Sequence, residues 1–212
     1  MYFKAGNHKQ AGLRYGPLKA IISPRPIGWI SSCDENGVAN LAPYSFFNAV
    51  SETPPMVMFV SAPDARKAPN AQHHNPKDSL HNIRITGEFG VNIVSAAQKE
   101  AMVASSAMLS PDVDEFTAAG LSKITARDIK APLVAGAPAH LECRLHEMLD
   151  LPGTDKRAGC VMVLGHVISM HIDDDYIQNG KLDVTKYQPV ARLGYKDYAT
   201  ITDIYEMTEG LK

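Results

Sequence analysis

The sequence contains little cysteine, which argues against two structural classes. Only three cysteines, Cys33, Cys143 and Cys160, occur in 212 residues, and they lie far apart. Because no CxxC pair is present, neither a disulfide framework nor a zinc site is expected. We expect all three to be reduced and buried thiols in a cytoplasmic protein.

Long apolar runs and an excess of one charge are also absent. The longest apolar runs fall well short of the roughly 18 residues that indicate a membrane span, and residues 1–8 contain no apolar signal core. The 21 basic and 23 acidic residues give a net charge of -2, whereas nucleic-acid binders usually carry a basic patch. We therefore expect a protein that binds neither nucleic acid nor a membrane.

Several motifs of well-known enzyme classes are missing. The chain has no GxGxxG for a Rossmann nucleotide site, no P-loop and no GxSxG elbow. A metal-dependent enzyme that uses His73, His74 and Asp78 is one alternative. Adjacent histidines cannot share one face of a helix, however, and no HExxH spacing occurs. We predict no metal site.

The pattern of apolar residues predicts mainly strands. Residues 27–33 and 38–44 flank Asn36-Gly37, which is a strong hairpin signal. The apolar run at residues 56–60 predicts a strand that is buried on both faces.

Further strands are predicted in the second half of the chain. Residues 89–94 read as a strand, and two long alternating segments at 139–151 and 160–172 predict an antiparallel sheet with two different faces. A polar turn is expected at Asn179-Gly180.

Helices are predicted in two places between these strands. Asn75 and Pro76 supply the preferred residues for a helix start, and Gly87 fits its end. A second helix is expected at residues 96–107. The segment 108–138 has little periodicity, and we interpret it as a long excursion with one or two short helices, of the kind that is usually functional.

The start of the first predicted helix is the best candidate for a phosphate site. Free backbone amides and the helix dipole favour an anion there, and Lys77 and Ser79 add a positive charge and a hydroxyl group. Asp78 would repel a phosphate unless its carboxylate points away or accepts backbone amides. The alternative is that all three are ordinary capping residues of a surface helix.

Residues 42–46 are candidates for contacts with a flat, polar-edged ring. Ala42, Pro43, Tyr44, Ser45 and Phe46 combine backbone amides, a hydroxyl group and aromatic side chains at the end of a predicted strand. Such groups could line a slot for an isoalloxazine ring and tune its redox properties. The alternative is a core strand that ends in a turn.

Arg25 lies between Pro24 and Pro26, which hold its backbone extended. An arginine held in this way suits a contact with a phosphate or a ribityl chain. The alternative is a surface salt bridge.

The order and spacing of these segments resemble the flavin-reductase-like FMN-binding split-barrel family, which includes flavoredoxins and NAD(P)H-dependent flavin reductases. The resemblance extends over residues 18–195, although no single tetrapeptide is specific. The segments that carry it are 23–26, 40–47, 77–80 with 82–83, 88–92, 115–116 with 119–121, 141–143 and 192–194.

The resemblance implies a fold that is mainly β with peripheral helices, namely a six-stranded antiparallel Greek-key split barrel. It implies a single domain over residues 1–212, with a tail from about residue 196. It also implies a homodimer with one FMN per subunit. In such a protein Ser79 would contact the phosphate, Asn40 and residues 42–45 would lie along the flavin, and Ser31 and Ser32 would lie near it.

The function implied is that of an FMN-binding oxidoreductase. NADH or NADPH would supply electrons, which would pass through bound FMN to free flavin, to a redox protein or to another acceptor. The alternative is a flavoredoxin-like electron carrier or flavin-binding protein without its own NAD(P)H activity.

Overall fold

One curled antiparallel sheet dominates the computed structural model, which describes residues 1–63, 77–107, 109–110, 113–154 and 159–207. Seven strands form this sheet in the described residues, in the order β2-β1-β5-β6-β7-β4-β3. In chain order they are β1 (Gly28–Cys33), β2 (Ala39–Tyr44), β3 (Phe47–Glu52), β4 (Pro55–Ser61), β5 (Glu88–Asn92), β6 (Ala139–Asp150) and β7 (Val161–Ile172).

The predicted split barrel with peripheral helices is confirmed, with one strand more than the six expected. The additional strand is β3, whose mostly exposed residues show no apolar alternation, so its pairing with β4 provides the main evidence for it. The sheet curls until the ring of Tyr44 on β2 packs against Phe59 on β4, with 4.7 Å between centroids. Since β2 and β3 remain unpaired edges, the barrel stays split.

Two apolar cores lie on opposite faces of β1. Ile30 points into the barrel and packs with Phe59 and Phe89, whereas Trp29 points outward into a second cluster with Phe116. Successive residues of a strand face opposite ways, and every residue of β1 is buried.

Strand β4 differs from its prediction, because only one of its faces is fully buried. Val57 and Phe59 are buried, whereas Met56, Met58 and Val60 are only half-buried. A continuous apolar run therefore does not show by itself that both faces of a strand are covered.

Five α-helices occur in the described residues. They are α1 (Leu18–Ile21), α2 (Asp78–Thr86), α3 (Lys99–Ala104), α4 (Glu115–Ala118) and α5 (Val184–Tyr187). None of the helices in this part of the chain is both long and apolar enough to cross a membrane.

The first predicted helix forms as α2 and ends at Gly87, which adopts the left-handed conformation with φ of 73°. The predicted start at Asn75 and Pro76 lies outside the described residues. The second predicted helix is shorter than expected: a 3-10 turn at Ala96–Gln98 precedes α3, which ends before Ser105. The Ser105 hydroxyl group there donates to the carbonyl of Met102 and accepts a bond from the indole of Trp29.

Short strands complete the fold. They form three small antiparallel sheets: Arg25–Pro26 with Val190–Arg192 and Tyr198–Thr200, Lys123–Ile124 with Leu133–Val134, and Ile177–Gln178 with Lys181–Leu182. The last of these is a hairpin at the predicted turn Asn179-Gly180, where both residues have positive φ.

Gly165 on β7 allows the ring of Phe89 to fill the barrel core. A Cβ atom at residue 165 would lie 2.6 Å from Cε1 of Phe89, which is fully buried. We predict that Gly165→Ala lowers the free energy of unfolding by about 1–3 kcal/mol, as overpacking does. Urea denaturation measures this loss.

A double-mutant cycle tests the cause of that loss. Phe89→Leu removes the part of the ring that clashes, so combining it with Gly165→Ala should destabilise by less than the sum of the two single changes. Gly16→Ala is the control, since a Cβ atom there meets only His8 at 3.7 Å. An additive result would mean that Gly165 is required for another reason.

Candidate functional site

A cavity of about 80 Å³ lies where the start of α2 meets the end of β2. The structure brings together here seven of the twelve predicted site residues. They are Asn40, Ala42, Pro43, Tyr44, Lys77, Asp78 and Ser79. These residues come from two segments that are more than thirty residues apart in the chain.

Five further residues line the same cavity and were not predicted. Ser105, Ser106, Ala107 and Leu109 follow α3, and Glu115 begins α4. Ser105, Ser106 and Ala107 belong to the end of the second predicted helix, whereas Leu109 and Glu115 lie in the segment 108–138, where periodicity is weak. The signal that could have identified Glu115 is its place beside Phe116, in one of the segments that carry the family resemblance.

A buried hydrogen-bond network forms the floor of the cavity. The amide nitrogen of Asn40 donates to Oε1 of Glu115 at 2.9 Å, and the backbone N–H of Leu41 donates to Oε2 at 3.2 Å. The hydroxyl group of Ser79 donates to Oδ1 of Asn40 at 2.7 Å. Asn40, Ser79 and Glu115 are each at most 7% exposed, so every polar group in this network needs its partner.

Glu115 is a carboxyl group in an unusual environment. Burial raises the pKa of Glu115, and the negative charge of Asp78 adds to this effect. The bonds from Leu41 and Asn40 act in the opposite direction, because they stabilise the ionised form.

Tyr44 has a buried phenol group with no hydrogen-bond partner among the described residues. Its ring packs into the barrel core against Phe59, and its residue lines the cavity. Burial raises the pKa of Tyr44, and the nearby hydroxyl groups of Ser79 and Ser61 act in the opposite direction, so the phenol stays protonated and can donate a hydrogen bond at neutral pH. Because buried polar groups are nearly always bonded, this phenol is a candidate donor to a ligand at the cavity.

Positive charge at the cavity comes from Lys77 and from the start of α2. Lys77 is the N-cap residue of this nine-residue helix, its side chain makes no capping bond, and its ammonium nitrogen lies 5.6 Å from the ring centroid of Tyr44. The first N–H groups of an α-helix have no partner within the helix. Together these groups suit an anion.

Arg25 does not line this cavity. Its guanidinium donates to the backbone carbonyls of Lys19 and Ile22, and to that of Leu193 at 2.8 Å. Burial, and then the positive charge of Arg192, lower the pKa of Arg25. Its side chain ties α1 to the C-terminal region, because a buried guanidinium requires acceptors and backbone carbonyls supply them.

The remaining predicted residues surround the cavity without lining it. Ser32 is fully buried and joins the network by accepting a bond from the amide of Asn82 at 3.2 Å. Ser31 accepts a bond from Asn92 at 3.3 Å. Ser45 is half-buried, and Phe46 is 39% exposed. Both residues lie in the turn between β2 and β3 and do not line the cavity.

The described residues contain no group of three or more metal-ligating side chains. His73 and His74, which belong to the metal hypothesis, lie outside the described residues. The histidines of β7 point to opposite faces: Nε2 of His166 lies 3.1 Å from Nδ1 of His146, whereas the ring of His171 lies near His140.

The residues present fit the phosphate end of FMN. A lysine, a serine hydroxyl group, a helix start and an unbonded phenol group surround a space of about 80 Å³. A complete drug-sized ligand needs roughly 300–1,000 Å³, so the ring would have to extend from the cavity along the backbone of Ala42 and Pro43.

We predict that Arg25→Ala destabilises the protein without weakening flavin binding. The loss should be about 2–3 kcal/mol, because a buried charged group loses its bonds to carbonyls. Urea denaturation and an FMN titration followed by flavin fluorescence measure the two effects. A large loss of FMN affinity with unchanged stability would show instead that Arg25 contacts the flavin.

Comparison with known proteins shows relatives along the whole chain. An uncharacterised protein of Aquifex aeolicus is 33% identical over 185 residues, which cover 87% of this chain and 88% of the relative. An NADH-dependent FAD reductase of Streptomyces globisporus is 30% identical over 107 residues, which cover 49% of this chain and 50% of the relative.

Among solved structures, nitrilotriacetate monooxygenase component B from Bacillus cereus is similar in fold. The TM-score is 0.85 at 28% sequence identity, and the match covers 98% of each chain.

A family model, the flavin reductase like domain, matches residues 22–191, which include β1 to β7 and the whole lining of the cavity. With most of its length matched and its sheet curled into a split barrel, this chain belongs to the flavin reductase-like family.

Proposed function

We propose that this protein is an FMN-dependent oxidoreductase that takes electrons from NADH or NADPH and passes them to flavin or to another acceptor. The observation that carries the proposal is the buried phenol of Tyr44, which has no hydrogen-bond partner among the described residues, beside a cavity lined by Lys77 and Ser79. A buried hydroxyl group without a hydrogen-bond partner is destabilising, and a ligand that accepts its hydrogen bond would remove this cost.

Four groups of this chain would hold the phosphate. Lys77 contributes its charge, the phenol of Tyr44 donates a hydrogen bond, and the start of α2 contributes N–H groups that have no acceptor within the helix. Ser79 contributes a hydroxyl group from the first turn of the same helix. The backbone of Ala42 and Pro43 would run along the ring, as the family resemblance implies.

When bound, FMN supplies the two-electron redox chemistry. The part played by this chain is to position the flavin and to set its electrostatic surroundings. Support for a nicotinamide donor comes from the Streptomyces globisporus relative, whose name states NADH dependence.

The assembly and the location of the protein are part of the same proposal. A flavin site near a subunit interface implies a homodimer, whose stability would depend on protein concentration. The wide spacing of the three free cysteines fits a cytoplasmic protein.

We predict that Tyr44→Phe weakens FMN binding but leaves the stability of the flavin-free protein unchanged within about 0.5 kcal/mol. Removing a hydroxyl group that has no partner takes nothing from the free protein, whereas the bound phosphate loses about 1 kcal/mol, or roughly fivefold in affinity. Thermal unfolding and FMN titration measure the two quantities.

Two controls show whether the effect belongs to the phosphate. Riboflavin, which lacks the phosphate, should bind wild type and Tyr44→Phe equally. Tyr187→Phe changes another buried tyrosine, which does not line this cavity, and it should leave FMN affinity unchanged. Equal loss of FMN and riboflavin affinity would place the phenol at the ring instead.

The activity itself is tested by absorption spectroscopy without oxygen. We predict that the visible absorption of FMN bound to the protein bleaches when NADH or NADPH is added. Bound FMN that neither nucleotide bleaches would favour the flavoredoxin-like carrier. If FMN does not bind at all, the proposed function is wrong.

A further inference from the structure

The network below the cavity has a defined hydrogen-bond direction. A backbone N–H can only donate and an ionised carboxylate can only accept. With Leu41 donating to one oxygen of Glu115, the amide group of Asn40 must turn its NH₂ toward the other oxygen. The carbonyl oxygen of Asn40 then faces Ser79 and accepts a hydrogen bond from its hydroxyl group at 2.7 Å.

This direction determines what Ser79 offers to the cavity. A serine hydroxyl group has one proton and two lone pairs. Since the proton of Ser79 is used by Asn40, only lone pairs are left for a ligand. A phosphate oxygen carries negative charge and needs a donor, so the network as it stands opposes a phosphate at Ser79.

The opposite direction is also possible when Glu115 is protonated. Its carboxylic acid would donate to Oδ1 of Asn40 after the amide group rotates, and its carbonyl oxygen would still accept from Leu41. The NH₂ of Asn40 would then donate to the hydroxyl group of Ser79. The proton of Ser79 becomes available to the phosphate, while the hydroxyl group of Ser32, which donates to Oδ1 of Asn40 at 3.5 Å, loses this long bond.

We propose that Glu115 is a positioning residue that acts through Asn40 on Ser79, so that phosphate binding is coupled to the uptake of one proton by Glu115. This inference rests on the proposed function, because it requires a phosphate at Ser79. In this step one proton from solvent neutralises the carboxylate, and the rotation of Asn40 reverses two hydrogen bonds and breaks the long bond from Ser32.

The surroundings of Glu115 favour proton uptake. Within the described residues it is faced by the carboxylate of Asp78 on α2 and by the neutral phenol of Tyr44 on β2. Lys77 shares the cavity, and on the same short element as Glu115, Asp114 is paired with Lys123. Burial and Asp78 raise the pKa of Glu115, and a bound phosphate would act in the same direction.

The pH dependence of FMN binding follows from this coupling between phosphate binding and the protonation of Glu115. The form that accepts phosphate carries a proton on Glu115, so FMN affinity is greatest at low pH and falls as Glu115 ionises. Coupling to one proton predicts a fall of about tenfold per pH unit above the pKa of Glu115. Glu115→Gln always presents an NH₂ donor to Asn40. The FMN affinity of this variant should therefore exceed that of wild type at pH 8 and change little with pH.

The experiment is calorimetric titration of FMN at pH 7.5 in two buffers of different protonation enthalpy, together with affinities between pH 6 and 8. We expect wild type to take up about one proton per FMN more than Glu115→Gln. Riboflavin should show no such difference, because it carries no phosphate. Equal proton uptake and parallel pH profiles for wild type and Glu115→Gln would overturn the proposal.

A matched control is available in Glu142, another carboxylate that is 5% exposed and accepts two backbone N–H groups, those of Arg127 and Asp128. It does not line the cavity, so Glu142→Gln should behave as wild type does. A loss of proton uptake in this variant as well would overturn the specific role of Glu115.

Ser79→Ala distinguishes a hydrogen-bond relay through Asn40 from simple charge repulsion between Glu115 and the phosphate. This variant also tests the proposal if Glu115→Gln does not fold. Without the hydroxyl group nothing connects Asn40 to the phosphate, so proton uptake should disappear. Proton uptake that persists in Ser79→Ala would overturn the relay while leaving the proposed function intact. Failure of FMN to bind any variant at any pH would remove the proposed function, and this inference with it.

Discussion

The hydrogen bond between Asn40 and Ser79 is the contact on which the arrangement of the site depends. It joins the edge strand β2 to the first turn of α2, and the second side of the same amide joins α4 through Glu115. Three elements that are distant in the chain therefore meet at one side chain. Since all of these groups are buried, each would be destabilising without the others.

The polar floor of the cavity and the two apolar cores contribute to the fold in different ways. On β1, Trp29 and Ile30 enter different apolar clusters, whereas Ser32 lies in the network and contacts Asn82 of α2. The apolar contacts hold the sheet and helices together without selecting a direction, because hydrophobic burial is non-directional. The polar contacts select one register, since an amide and a carboxylate must meet at hydrogen-bond distance.

Much of the fold could be predicted because it follows from local patterns. The Asn36-Gly37 hairpin, the end of α2 at Gly87 and the two long strands β6 and β7 all formed near their predicted positions. The prediction failed for β3, which has no apolar alternation and is recognisable only from its partner β4.

The site was predictable only to the extent that its residues carry chemistry in short segments. Lys77 and Ser79 were expected at a helix start, which is a local property. Arg25 has the same chemistry as a phosphate ligand, yet its position beneath α1 gives it backbone carbonyls as partners. Glu115 shows the reverse: its place beside Phe116 marks a segment of the family resemblance, but its burial beside Asn40 depends on contacts between distant parts of the chain.

By itself the sequence determined the strand-rich fold, the family and the two segments that carry the candidate site, because periodicity, turn residues and helix ends act over a few neighbours. Only the tertiary structure decided that Tyr44 has a buried phenol without a partner, that Arg25 is used within the fold, and that Glu115 and Asn40 set the direction of the Ser79 hydroxyl group. The physical reason is that burial and hydrogen-bond partnership are properties of residues brought together from distant parts of the chain.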